Sequence, residues 1–356
     1  MKILLLGCHS ILEFDLMKMF TEIDDMLPQT ERMNIEIFSL EGAYQNPLQS
    51  GDFTRSIIPK GRFYHQLYSV AMQCSKDNIH PELLDWCDVV FFMHNSAIPG
   101  QKEQQRWVVR NWKLIQEKKK KSIWYSIGQS TPAIEVELKK YFNEGLQIIR
   151  YSPLETFIPE YAGASETIRF YKDDEEFKGW NGEKIHVITL AQSYMKRGDH
   201  LGFSLFERVT SGFNRRVFGN GNEDLGDLWA GNRSYEELKK DLRDARCFFY
   251  TGTIPAPYTL SFIEAMMTGI PIIAIGSELR KHSSYPWKNY EIPNIISNGV
   301  NGYISDNIDE LRNYIQLLFD NGDVAKRVGE AGRRTAIELF GKKNIYKKWI
   351  DFLKKM

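Results

Sequence analysis

Cysteine is scarce: four residues in 356 (Cys8, Cys74, Cys87, Cys247), far apart, with no C-x-x-C and no histidine at metal spacing. That excludes a disulfide framework and argues against structural zinc; the expectation is reduced, buried thiols in a cytosolic protein. Long apolar runs are also missing. No stretch approaches the roughly 18 residues that span a bilayer, and the apolar core of MKILLLGCHS is too short for a signal peptide. Net charge is absent, 46 basic residues balancing 46 acidic ones. A dedicated nucleic-acid binder should be strongly basic, so nucleic acid is disfavoured as a partner. No repeat of solenoid period occurs.

What is present alternates. In the first half, buried strands are expected at Ile3–Leu6, Asn34–Leu40, Asp88–Met93, Ser122–Ser126 and Leu146–Arg150. Helices lie between them at about 11–23 and 101–119, and Thr131–Pro132 opens another. A polar stretch at about 163–184 lacks helical period, and the domain boundary is placed in it. The alternation then resumes, with strands at His186–Leu190, Arg216–Gly219, Cys247–Tyr250 and Pro271–Ile275. Ser234–Glu237 has the form of a capping box. Strands separated by helices imply parallel sheets. The expected architecture is α/β with two Rossmann-like domains and a ligand cleft between the carboxyl ends of their strands. The boundaries are 1–165, 166–338, and a helix 339–356 that returns to the first domain.

The most informative segment is Pro257–Ile275, PYTLSFIEAMMTGIPIIAI. A helix starting near Thr259 presents unpaired N–H groups and about half a positive charge, a seat for a diphosphate at Thr259 and Leu260. Glu264, on the inner turn, can accept hydrogen bonds from two ribose hydroxyls. The plainer alternative is an exposed Glu264, or one paired with a neighbouring lysine. Gly219-Asn220-Gly221, after a strand, is either an ordinary turn or a place where the backbone passes close to a nucleotide. Lys196 and Arg197 are either a solvated loop or a grip on phosphate.

In this half the chain resembles the retaining GT-B glycosyltransferases of the large group 1 family. TLSFIEAMMTGIPIIA is similar to FGLxxxEAMAxGxPVVA, and IISNGVNG (295–302) to I-x-x-G-x-N-G. VFGNGNED (217–224) is similar to the G-x-G turn on the nucleotide side, and FGKKNIYKKWIDFL to the closing helices. The likeness covers about the last 170 residues; the first half is similar in pattern only. It implies sugar transfer, with retention, from a UDP- or GDP-linked sugar to a hydroxyl on a glycan, lipid or other acceptor. The nucleotide sugar is a co-substrate, and neither a cofactor nor a metal is expected. Arg197, Lys196 and Glu264 would carry the catalytic and ribose-holding roles, and Gly219, Asn220, Gly221, Thr259 and Leu260 the nucleotide and diphosphate.

One residue departs from that pattern. The family has a glutamate eight residues before Glu264, and here that position is Ala256, which cannot hydrogen-bond a sugar. Thr253 and the backbone at Tyr258–Thr259 are the nearest substitutes. The alternative is therefore a degenerate protein that binds a nucleotide or glycan without turnover; a sugar epimerase would need more acid/base side chains than are visible. On the donor-sugar or acceptor side the candidates are Gly7, His9 and Ser10 after the first strand, His94 after the third, and Gln129. For His9 a helix-capping role is equally open. Asp173–Glu176 reads as a solvated charge run. Lys118–Lys121 and the lysine-rich last helix suggest a peripheral contact with an anionic membrane on the cytoplasmic face.

Overall fold

The computed structural model describes residues 1–7, 9–40, 62–71, 73–74, 78–93, 107–128, 130–282 and 288–356. Cys8, His94, Gln129 and the first six residues expected in the helix 101–119 lie outside them. The chain forms two units, Met1–Tyr171 with Tyr346–Met356, and Lys172–Ile345.

In the first unit, short apolar runs that are buried on both faces make a parallel sheet, as such runs do when helices cover each side. Its strands are β1 (Lys2–Leu6), β2 (Glu36–Ser39), β3 (Val89–Met93), β4 (Lys121–Tyr125), β5 (Gln147–Arg150) and β6 (Glu166–Thr167). The order is β2-β1-β3-β4-β5-β6, every pairing parallel. Trp349, on the helix Lys342–Lys355, is fully buried against Phe20, Phe91 and Tyr125, with ring centroids 5.3–5.6 Å apart. A bidentate ion pair between Arg150 and Glu135 (2.9 and 2.7 Å) is sealed beneath the end of β5.

The second unit repeats the plan with β7 (Lys184–Leu190), β8 (Arg215–Phe218), β9 (Ala245–Tyr250), β10 (Ile272–Ile275) and β11 (Tyr303–Ser305), in the order β11-β10-β9-β7-β8, all parallel. In both sheets the order reverses once, between β1 and β3 and between β7 and β9. Those are the places where an open parallel sheet leaves a crevice at its carboxyl edge. The cap signals expected from the sequence are in place. Thr131 accepts from the Ile134 amide, and Ser234 and Glu237 form a reciprocal capping box.

The polar stretch 163–184 is more structured than its composition suggests. It contributes β6 to the edge of the first sheet, then Lys172 and Phe177, both buried, to the second unit. The charge run Asp173–Glu176 is a turn anchored by Arg333, whose Nη2 donates to the Asp174 carbonyl at 2.8 Å. Lysines counted as a basic surface are partly engaged. Lys118 pairs with Asp85, Lys120 donates to the Cys87 carbonyl at 2.8 Å, and Lys354 pairs with Glu31 at 2.7 Å. Among the described residues no helix is long and apolar enough to cross a membrane.

Glu155 yields a pH prediction. It is fully buried; its Oε2 accepts from Ser126 Oγ at 2.8 Å and from the Tyr151 and Ser152 amides, while Oε1 has no protein donor among the described residues. Burial raises its pKa to about 7, against the opposing pull of Arg150 and these hydrogen bonds. The folded chain therefore holds a proton that the unfolded chain releases above the ordinary carboxyl range. This contribution to stability is fully present below about pH 4.5 and is lost as pH rises through about 7, by an amount on the order of 3 kcal/mol. Glu155→Gln should flatten this part of the stability profile, read from urea unfolding between pH 5 and 8; an unchanged slope would refute the assignment.

Candidate functional site

Three connections of the second unit leave its sheet at one edge. They follow β7, β8 and β9, the strands around the order reversal. After β7 the chain turns through Ala191–Ser193, with Ser193 at φ 49°, into the helical turn Tyr194–Arg197. No side chain of its own caps that turn. Asn222, in the connection after β8, does so instead: its Oδ1 accepts from the Tyr194 amide at 2.6 Å, and its Nδ2 donates to the carbonyls of Ala191 (2.7 Å) and Gly219 (2.9 Å). Asn222 is fully buried, so one side chain bolts two of the three connections together.

Gly219 and Gly221 are where that contact requires glycine. Both have positive φ (121° and 74°), and a Cβ on them would lie 2.4 Å from the Ala191 carbonyl oxygen and 2.5 Å from Ser193 Oγ. Asn220 closes the turn with its carbonyl, which accepts from the Ser193 amide at 2.9 Å. The expected G-N-G turn is thus packed against the approach to Lys196 and Arg197. Both basic residues are exposed, and partial desolvation of the Arg197 guanidinium lowers its pKa from the ordinary value.

The third connection, Thr251–Thr259, is tied to the first through buried hydroxyls. Tyr194 Oη and Thr251 Oγ1 are 2.9 Å apart, and Thr251 Oγ1 donates to the Leu201 carbonyl at 2.5 Å. Its own carbonyls are fixed from behind. Arg280, buried and stacked over Tyr290, donates Nη2 to Thr253 O and, at 3.4 Å, to Ala256 O. Asn289 Nδ2 donates to Pro255 O at 2.6 Å, and the Glu291 amide to Pro257 O at 3.1 Å. Ala256 itself is buried, at 6% exposure. Of the substitutes considered for the missing glutamate, the Thr253 carbonyl is committed to Arg280. The Thr253 side chain and the backbone at Tyr258–Thr259 remain.

The connection ends at the helix Leu260–Thr268. Thr259 is its N-cap, in extended conformation, yet its side chain makes no capping hydrogen bond and meets Ser261 Oγ at 2.9 Å instead. A helix start without a side-chain cap keeps its first N–H groups for another acceptor, and an anion is the best electrostatic match. Gly269 closes the helix at φ 93°. Glu264 lies one turn inside. Its side chain is 6% exposed, and Oε1 forms an ion pair with Lys172 Nζ at 2.7 Å, the lysine being 1% exposed. The lysine alternative weighed for Glu264 is therefore realised, but with a buried residue distant in sequence.

The phenols around this edge are not bases near neutral pH. Burial pushes Tyr250 up to about 12 and raises Tyr194 and Tyr290 as well. In the first unit, His9 caps the helix Ser10–Glu22, its Nδ1 accepting from the Leu12 amide at 3.5 Å. Gly7 allows the chain to pass Glu13, whose Oε2 would lie 2.1 Å from an added Cβ.

No protein-family profile matches the chain, and no curated protein matches it. Solved structures do. HepE of Anabaena, in complex with UDP and glucose, is similar over 100% of both chains at 14% identity and TM-score 0.65. A glycosyltransferase from Rickettsia africae is similar over 99% of this chain and 98% of its own, at 14% identity and TM-score 0.61. An alpha-glucosyltransferase in complex with UDP-glucose and abasic DNA covers 99% of both chains at 12% identity and TM-score 0.60. With the two parallel sheets described above, these likenesses identify the fold as GT-B, two Rossmann-like domains.

Asn222→Ala should leave the Tyr194 amide and the Ala191 carbonyl without their partner, while the Gly219 carbonyl keeps Trp229 Nε1 at 2.9 Å. A loss of about 2–3 kcal/mol is expected, seen as a lower unfolding midpoint of the second unit. A midpoint equal to the native one would mean that the connections are held together some other way.

Proposed function

We propose that the chain transfers a sugar from a nucleotide diphosphate-sugar, with UDP-linked donors first in line, to an acceptor hydroxyl with retained configuration. The observation that carries this reading is a coincidence at one sheet edge. A helix start without a side-chain cap, a buried ionic carboxylate one turn inside it and the basic turn Lys196–Arg197 all belong to connections leaving adjacent strands. The similar structures add support, two of those above having been solved with UDP or UDP-glucose.

In this reading the Thr259 and Leu260 amides take the diphosphate, with Arg197 and Lys196 neutralising the charge that develops as it leaves. Glu264 accepts from the ribose hydroxyls, and the Gly219–Gly221 turn lets the backbone approach the nucleotide. The bond from the anomeric carbon to the β-phosphate oxygen breaks. A bond from that carbon to the acceptor oxygen forms on the same face, and the departing phosphate oxygen takes the acceptor's proton. No side-chain base is needed, consistent with the raised tyrosines, and helix and guanidinium take the place of a divalent ion. Gly7, His9, Ser10, His94 and Gln129 remain candidates for the sugar or acceptor side. Membrane contact has less support, because several of the lysines invoked for it are engaged within the first unit.

Ala256 favours a second reading, nucleotide binding without turnover. A panel of UDP- and GDP-sugars, assayed for hydrolysis or transfer and for thermal shift, separates the two. Release of nucleoside diphosphate supports transfer, and a shift without release across the panel supports the binder. Glu264→Gln, which preserves side-chain shape beside Lys172, should weaken UDP roughly 10- to 100-fold with an unchanged circular dichroism spectrum. Native-like affinity would defeat the ribose assignment.

A further inference from the structure

We infer that Lys172 is a positioning residue for nucleotide recognition, holding Glu264 in the orientation that accepts from a ribose; this rests on the reading of Glu264 just proposed. A carboxylate this deeply buried is costly unless a counter-charge accompanies it. Lys172 Nζ supplies that charge at 2.7 Å from Oε1. The ion pair engages Oε1, and among the described residues no donor meets Oε2, which leaves Oε2 for a ligand. A carboxylate paired with an ammonium is acceptor-only, which suits donating hydroxyls, whereas a swung-out Glu264 would aim Oε2 away from them.

Lys172 is itself held in place. Its amide donates to the Phe340 carbonyl at 3.1 Å. The Phe340 ring packs edge-on against Tyr258, centroids 5.3 Å apart, immediately before the helix that carries Glu264. The Lys172 ammonium lies 5.6 Å from the Phe177 ring centroid, a further attraction for the cation. Both the backbone and the side chain of Lys172 are therefore fixed to elements that border the helix start. A lysine whose only task was to stabilise the fold would affect every nucleotide equally. One that sets the ribose acceptor affects the sugar's hydroxyls specifically.

The test is the ratio of affinities for UDP and 2′-deoxy-UDP, measured by calorimetry on the full chain. The native protein should prefer UDP roughly 10-fold or more, the size expected for one hydrogen bond to a charged group. Lys172→Met should remove most of that preference while shifting 2′-deoxy-UDP less than about threefold, and Lys172→Arg should restore it. Lys172→Gln, which keeps polarity and loses the charge, is read in the same way should the methionine variant not fold. A preference undiminished in the neutral variants overturns the inference, as does equal weakening of both nucleotides. If Glu264→Gln also keeps the full preference, the ribose reading itself has failed. If only the Lys172 variants keep it, that reading stands and the role of Lys172 falls. A native chain that binds neither nucleotide, nor the guanosine pair, overturns both.

Discussion

The constraint from which the second unit follows is the single reversal of strand order in an all-parallel sheet. Parallel pairing sends every strand's carboxyl end to the same edge, and the reversal makes the connections after β7 and β9 depart in opposite directions from neighbouring strands. Three connections then crowd that edge with their backbones exposed to one another. The polar groups so exposed must be paired. Asn222, Thr251, Arg280 and Asn289 do that pairing, which is why these buried side chains gather at that edge and not in the hydrophobic core.

Burial of charge then divides the site into a fixed and a free part. Glu264 with Lys172, and Arg280 with the loop carbonyls, are locked into the body of the unit. Lys196 and Arg197 are exposed. Such a division suits chemistry in which one end of a ligand is recognised while the other leaves. A preorganised carboxylate costs little rearrangement on binding, and surface cations can follow a departing anion. Ala256 belongs to the fixed part, so what the missing carboxylate would have contacted must be met by neighbours or by the ligand itself.

Much of the fold was legible in the sequence because strand burial, caps and glycine stops are local signals. Thr131, Ser234 and Gly269 mark element ends as their chemistry requires. The turn 219–221 and the helix start at Thr259 were legible for the same reason. What could not be read were contacts between residues far apart in the chain. Lys172 looked like part of a solvated linker because its neighbours are charged, and only the folded unit shows it buried against Glu264. Asn222 resembled any polar residue after a Gly-rich turn; its burial is decided by a connection that follows another strand. A faint clue was present in each case: a lysine directly after the aromatic pair Phe170–Tyr171, and an asparagine at the close of G-N-G-N. For His9, the choice between cap and ligand contact turned on backbone geometry, which composition does not encode.

The discontinuity of the first unit bears on how the molecule comes into being. Its core is built around Trp349, which sits among Phe20, Phe91 and Tyr125, yet the ribosome makes Trp349 only after the whole of the second unit. During synthesis the first sheet must wait with an aromatic socket open, while the second unit has all its strands and can close. The core of the earlier-begun unit therefore depends on a segment synthesised after every strand of the second unit.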